Sequence, residues 1–313
     1  YVGTHLVHEQ ANLTLDQLPD SALSLGSGLQ TLVPNPFYGQ ISTGQLAAPK
    51  VSQAQLLRPY PQFTGVTSLQ ASWAEARYNA LDVTLQKRFS NGFSLLTAFT
   101  WSKLIDQVSN GFSGESLGGS STQDYNNLKA ELSTSQLDET NRLVSDAAYQ
   151  LPFFRGQQGI PGHLLGGWEL STIASFISGD PLGISSATNG SGSQGGGQRP
   201  NWNGKNPALS HHTVGKWFDT SVFSNPPAFQ FGNTPRTFGY VRSDWVRNID
   251  LSLHKSTQLT KKMDLQIRID AFNMDNTPVF APPNTSFGSS TFGVVSAQQN
   301  SPRTIQLGFK LLY

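Results

Sequence analysis

From Thr304 to Leu311 the side chains change character at every residue, in a segment that runs from Arg303 to the terminal Tyr313. Arg303, Ile305, Leu307, Phe309, Leu311 and Tyr313 share one parity, and Thr304, Gln306, Gly308 and Lys310 share the other. A β-strand turns successive side chains to opposite faces, so the segment predicts a strand with one apolar and one polar stripe. Two architectures hold such a strand. One is the edge of a soluble β-sandwich, whose polar side meets water. The other is the wall of a membrane β-barrel, whose apolar side meets lipid.

The pattern recurs along the chain. Met263, Leu265, Ile267, Ile269 and Ala271 alternate with Asp264, Gln266, Arg268 and Asp270. Ile249, Leu251 and Leu253 alternate with Asp250, Ser252 and His254, and Leu81, Val83 and Leu85 with Asp82, Thr84 and Gln86. Phe93, Leu95, Phe99 and Trp101 oppose Ser94, Thr100 and Ser102. Leu143, Ala147, Tyr149 and Leu151 oppose Arg142, Asp146 and Gln150. In the strand from Trp168, the residues Leu170, Ala174 and Phe176 oppose Glu169, Ser171 and Ser175, with Ile173 and Ile177 blurring the contrast. A tilted transmembrane strand takes about 9–11 residues, a length that most of these segments reach.

The connections between the strands are uneven, and they take turns. Ser90–Gly92, Pro152–Leu165 and Ser256–Thr260 read as the shorter ones. Leu6–Ser72, Leu104–Asp138, Asp180–Val246 and Asn273–Ser301 are long. Compact soluble domains seldom carry structureless loops beyond about 12–15 residues. Outer-membrane barrels carry long loops outside and short turns in the periplasm. With the C-terminus in the periplasm, the loops around Gly39, Gly118, Gly195 and Gly288 fall outside and the shorter turns inside. The reading is therefore an all-β, antiparallel outer-membrane barrel.

Composition agrees. Charged residues make up 13% of the chain, about half the usual globular share of roughly 25%. A mean hydropathy of −0.31 and the lack of an 18-residue apolar run exclude helical spans, whereas alternation hides membrane strands from a hydropathy window. A net charge of +1 gives no reason to propose nucleic-acid binding, and with Cys 0 there is no disulfide framework, zinc knuckle or thiol nucleophile. Trp101, Tyr149 and Trp168 stand near strand ends, where amphipathic rings suit the membrane interface; packing among neighbours is the plainer alternative. Tyr1–His5 reads as the outer tip of a strand. About seven further strands follow, a set that leaves open edges, so the chain is expected to be the C-terminal part of a larger barrel domain spanning residues 1–313 here.

Several stretches stand out together. They include the run from Leu56 through Arg58, Pro59 and Tyr60 to Phe63, then Tyr78–Leu81, Lys87–Gly92 and Thr100–Lys103. Further on come Leu165–Leu170, Gly197–Asn201 with Arg199, Phe231–Thr237 with Arg236, Pro283–Gly288 and the ending Gly308–Tyr313. Together they resemble TonB-dependent receptors of the Oar-like, acidobacterial type, which contain a carboxypeptidase-regulatory-like domain, a plug and a barrel. The resemblance covers essentially the whole chain in order. It implies seven to eight strands of a barrel of about 22, with the plug and the TonB box upstream, and function as a receptor for energy-coupled uptake. It also implies that Gly308, Leu311 and Tyr313 form the signal read by the barrel-assembly machinery. The chain departs from the family's pattern at Asn141-Arg142, where His-Arg is common, and at Leu307, where the assembly signal has a polar residue.

Other motifs carry less. Gly190-Ser191-Gly192-Ser193-Gln194-Gly195 fits a dinucleotide fingerprint, but it runs on into Gly196, Gly197 and Pro200 instead of opening a helix, so it reads as a surface loop. His5 with His8, and His211 with His212, lack a third ligand at metal-site spacing. Asn12, Asn189 and Asn284 match a glycosylation pattern common by chance in such loops. No catalytic constellation and no cofactor motif stands out. By parity Asp82, Arg142, Asp146, Asp250, Asp264, Arg268 and Asp270 face inward. There they either meet the plug and the substrate path or pair with one another along the wall. Trp202, Trp217 and Tyr240 either stack on a sugar ring or pack the loops together. Two further functions use the same barrel: a surface adhesion protein displaying its loops, and a passive porin.

The terminal aromatic supplies a test. Tyr313 offers an apolar ring with a hydroxyl that stays wet, as a strand end at the membrane interface requires. In the full-length protein, Tyr313→Asp or deletion of Tyr313 should sharply lower the amount in purified outer membranes, whereas Tyr313→Phe should preserve it. Unchanged abundance of the Asp variant would show that the ring has no part in assembly.

Overall fold

The computed structural model describes residues 1–109, 122–154, 156–193, 196–260 and 262–313. Eight strands form a wall: β1 (Val2–Thr14), β2 (Thr67–Ser90), β3 (Phe93–Asp106), β4 (Asn141–Gln150), β5 (Trp168–Ile177), β6 (Val246–Thr260), β7 (Met263–Phe272) and β8 (Thr304–Leu312). Each pairs antiparallel with the next in the chain. The two-residue strand Ser133–Thr134 adds to the end of β3. β1 and β8 are the two edges and do not pair with each other, so the sheet is an open wall. β1 meets only the far part of β2, from Val2 opposite Ala80 to Thr14 opposite Thr67. From Leu81 to Ser90, β2 is paired on the β3 side alone.

The register carries each strand's alternation across the whole wall. One row runs Phe93, Tyr149, Leu170, Leu253, Ile269, Leu307 from β3 to β8. The row beside it runs Gln150, Glu169, His254, Arg268, Gly308. A slip of one residue in any strand would mix the two faces. Among the described residues, none covers most of the apolar face: Val83 is 51% exposed, Leu307 62% and Phe309 72%. The buried apolar clusters lie instead in the long connections. A soluble sandwich would bury this face against a second sheet. This one buries its core elsewhere.

Connections segregate by end. Asn91 and Gly92 both adopt positive φ (53° and 81°) and close the β2–β3 hairpin, with Ser90 opposite Phe93. Such a pair matches the twist of the flanking strands, as Asn-Gly commonly does. Ser256–Thr260, expected as a turn, is strand: the ladder continues from Ser256 opposite Gln266 to Thr260 opposite Met263. The alternation of Thr257 with Gln258 extends the strand, and Lys262 lies in a turn, with Lys261 outside the described residues. Pro152–Leu165 holds a short helix, α1 (Gly159–Leu165), instead of plain turn. At the opposite end lie the long connections, described over residues 15–66, over 107–109 and 122–140, over 178–193 and 196–245, and over 273–303. Gly39 and Gly288 lie in this layer, whereas Gly118 and Gly195 are outside the described residues. The first connection is shorter than the expected Leu6–Ser72 because the β1–β2 ladder runs on to Thr14 and Thr67.

The two faces should respond differently to charge. Ile267 stands opposite Phe309 on the apolar face, and Gln266 opposite Lys310 on the polar one. Ile267→Arg should cost about 2–4 kcal/mol near the midplane, while Gln266→Ser should cost far less. Denaturant unfolding in lipid vesicles checks this, and equal costs would mean that both faces are buried in protein.

Candidate functional site

The long connections fold on one another into a single layer. Leu182, Ile184, Trp217, Phe218, Phe223 and Phe238 form a core with Val295, and Phe280, Phe287 and Phe292 pack against it. Its rings meet edge to face, Phe218 with Phe292 at 5.2 Å and Phe223 with Phe238 at 5.8 Å. Aromatic pairs favour this arrangement because a ring's positive edge meets its neighbour's negative face. A second core of Leu18, Leu23, Leu29 and Ala54 is closed by Phe229 and Phe231. The third connection thus holds the first and the fourth together through apolar contact.

Three buried arginines and a half-buried one, Arg242, add polar joints. Arg58 pairs with Asp16 at 2.8 Å within the first connection. Arg199 grips Glu131 with two hydrogen bonds, Nη2 to Oε1 at 2.7 Å and Nη1 to Oε2 at 3.1 Å, and both side chains are at most 3% exposed. Arg236 pairs with Asp106, the last residue of β3, and donates to the Ser109 hydroxyl at 2.8 Å. Arg242 pairs with Asp138 and donates to the backbone carbonyl of Gly179 at 2.8 Å. The guanidinium fork suits such sites because its planar donors satisfy carboxylate and carbonyl oxygens together. Between the first two connections, Gln17 donates to Asp124 at 2.6 Å and accepts from the Tyr125 amide at 2.7 Å. Burial pushes the Asp124 carboxyl above its ordinary range, and the Gln17 hydrogen bond opposes that rise.

Three of these arginines stand in stretches singled out from the sequence: Arg58, Arg199 and Arg236. Each marks a joint. Gly232, from the same stretch as Arg236, lies so close to Arg199 that a Cβ would sit 1.9 Å from its carbonyl oxygen. Only glycine allows that approach. The acidic partners Asp16, Asp106, Glu131 and Asp138 gave no sequence signal, because they are separated from their arginines by 42 to 130 residues.

The loop aromatics divide. Trp217 is buried in the first core, where its indole donates to the Arg242 carbonyl at 2.7 Å. Trp202 packs edge-on against Phe238 at 5.4 Å. Tyr240, 47% exposed, leans one side of its ring on Phe238 at 5.6 Å. His5 lies 3.3 Å from Glu75, and the His212 ring lies tilted against Trp217 at 4.1 Å. In the glycine run, Asn189 accepts hydrogen bonds from the Ser191 and Gly192 amides in a loop, with Gln194 and Gly195 outside the described residues.

The polar face of the wall carries Asp82, Arg142, Asp146, Asp250, Asp264, Arg268 and Asp270 at one parity. Asp82 accepts from Thr100 at 2.7 Å, Asp250 from the Asn273 amide at 2.9 Å. The ion pairs run along single strands or into a loop: Arg268 to Asp270 at 2.8 Å and Arg142 to Glu139 at 3.0 Å. Asp146 lies between Leu96 and Ile173 in its row. A 240 Å³ hollow lies between Asp82, Thr100, Glu139 and Arg142. A larger one, 490 Å³, is lined by Glu169, His254, Arg268 and Lys310. On the apolar face Trp101 is 58% exposed, Tyr149 meets Phe93 edge-on at 6.2 Å, and Trp168 lies under the Lys255 ammonium. A Cβ at Gly308 would make only ordinary contact, 3.8 Å from that of Arg268.

Removing one partner of a buried ion pair strands the other's charge, which costs about 3–5 kcal/mol. Arg199→Met should therefore loosen the layer and open it to protease on whole cells, while the wall keeps its heat resistance. Adding Glu131→Leu should restore much of the protection. An unchanged digestion pattern for Arg199→Met would show that the pair does not hold the layer.

Comparison with known proteins places this geometry in a family. Among solved structures, the outer membrane transporter YddB from Escherichia coli is similar at 12% identity and a TM-score of 0.43, over 79% of this chain and 26% of that one. The ferric-catecholate import receptor Fiu from K12 E. coli gives 11% and 0.35, over 79% and 22%. FpvA of P. aeruginosa, in complex with a heterologous pyoverdine and iron, gives 10% and 0.34, over 90% and 23%. The chain spans about a quarter of the length of these structures. No curated protein matches it. The model of one family, described as the outer membrane beta barrel domain, matches residues 1–306, and the chain belongs to that family.

Proposed function

We propose that this chain supplies part of the wall and the extracellular capture layer of an outer-membrane receptor that takes up its ligand by TonB-coupled transport. The observation that carries this reading is the loop layer. The long connections at one end of the wall fold into one body, locked by buried arginine–carboxylate pairs. Three of those arginines lie in the stretches that resemble Oar-like TonB-dependent receptors. A passive pore needs an unobstructed mouth, whereas a firmly folded layer suits a surface that captures a ligand and passes it on. Adhesion is the second reading, because a firm layer also suits display.

In this proposal residues 1–313 are the C-terminal part of a larger barrel, and the short turns face the periplasm. The apolar face meets lipid. Trp101, Tyr149 and Trp168 sit at the membrane interfaces, and Gly308, Leu311 and Tyr313 engage the barrel-assembly machinery. Asp82, Arg142, Asp146, Asp250, Asp264, Arg268 and Asp270 line the interior, where the open hollows leave room for a plug or a passing solute. The ligand is a small molecule, oligosaccharide or peptide.

Transport by the full-length protein separates the readings. Uptake of a ligand found by growth screening should stop when the TonB system is deleted or the proton-motive force is collapsed, while surface binding persists. Uptake that survives both treatments would make the barrel a porin, and binding without uptake would make it an adhesin.

A further inference from the structure

The β4–β5 connection contains a surface that the wall's alternation does not explain. Lys255 and Thr257 of β6 have the parity of the apolar face, since they stand opposite Ile267 and Leu265. Both are nonetheless buried, at 7% and 6% exposure. Helix α1 and its flanks cover them. The Lys255 ammonium donates to the Gly166 carbonyl at 2.6 Å and lies 5.2 Å from the centre of the Trp168 ring. The Thr257 hydroxyl donates to the His163 carbonyl at 3.2 Å. Gln157 donates to the Ser256 carbonyl at 2.9 Å, and the Ser256 amide to the Gly167 carbonyl at 3.0 Å. The approach is close enough that a Cβ on Gly167 would lie 2.2 Å from the Ser256 oxygen. The segment is therefore docked on the outer side of the wall.

Its far side has the opposite character. Ile160 is 77% exposed, Leu164 63%, Leu165 54%, Phe153 61% and Phe154 54%. An apolar hollow of 430 Å³ lies among Leu151, Phe153, Phe154, Leu165 and the wall residues Trp168 and Leu253, so this surface continues the wall's apolar face. The segment exchanges two polar side chains for five apolar ones at the place where the face would otherwise turn polar. Burying those polar donors in lipid without partners would be costly. Exposing such an apolar patch to water would be costly too.

We propose that residues 152–154 and 156–167 form a membrane-interface anchor, with the Phe153, Phe154, Ile160 and Leu164 side chains inserted into the phospholipid leaflet beside the short-turn end of the barrel. The anchor caps the polar end of β6 and fixes the depth of the wall. This rests on the reading of the apolar face as lipid-facing, and the test separates the two.

In a cysteine-free background of the full-length protein, nitroxides are placed singly at Ile160→Cys, Leu164→Cys, Ile267→Cys and Gln266→Cys. The protein is reconstituted in vesicles of phosphatidylethanolamine and phosphatidylglycerol, and collisions with oxygen and with a water-soluble nickel chelate are measured. Positions 160 and 164 should favour oxygen over the chelate, as position 267 does and position 266 does not. Chelate access at 160 and 164, with 267 still favouring oxygen, would overturn the anchor and leave the wall reading intact. Low access to both reagents at 160 and 164 would overturn it as well, since protein would then cover the patch. Chelate access at 267 would instead overturn the wall reading.

Discussion

The wall depends on the hydrogen-bonded ladder between neighbouring strands. Hydrocarbon offers no water to an unpaired amide, so each strand must find its partner along its full crossing. That requirement makes register the governing variable. Once Phe93 is opposite Tyr149, Leu170 opposite Leu253 and Ile269 opposite Leu307, the apolar face is set without side-chain packing to specify it. The same requirement explains why the apolar clusters sit in the connections. The wall is held by its backbone, and the loops, which stand in water, need cores of their own.

Those cores are small, and charged joints supplement them. Burying an ion pair carries a desolvation cost that a good geometry only partly offsets, so the pairs add little net stability compared with apolar contacts. Their contribution is specificity of arrangement. A two-pronged Arg199–Glu131 contact admits one orientation of the two connections that carry it. Arg236, by ending on Asp106, ties that arrangement to the top of β3.

Much of the wall was legible in the sequence because strand parity is a local property. The alternation of residues 263–271 names both of its faces without knowledge of any partner. The end of β6 was misread because Ser256, Thr257 and Thr260 have turn-like composition, and only the pairing with β7 reveals them as strand. Helix α1 was hidden for a related reason: Gly159-Ile160-Pro161-Gly162 has poor helix propensity, and the contacts that hold it come from β6. The loop layer was the least legible. Arg58, Arg199 and Arg236 stood out by resemblance, but their carboxylate partners are fixed by tertiary contact between distant segments.

The interlocking of the connections limits how such a layer can diversify. Phe229 and Phe231 complete a core seeded by the first connection, and Arg199 and Arg236 clamp the second. A loop transplanted alone from a relative would lose partners contributed by two others, so recombination should succeed only when the connections are exchanged as a set. Freedom to vary is left to the tips. The hairpin around Val214 and Gly215 is exposed, and a side chain added at Gly215 would meet open space. Diversification by point substitution is therefore channelled into such tips, while the interlocked part is inherited as a block.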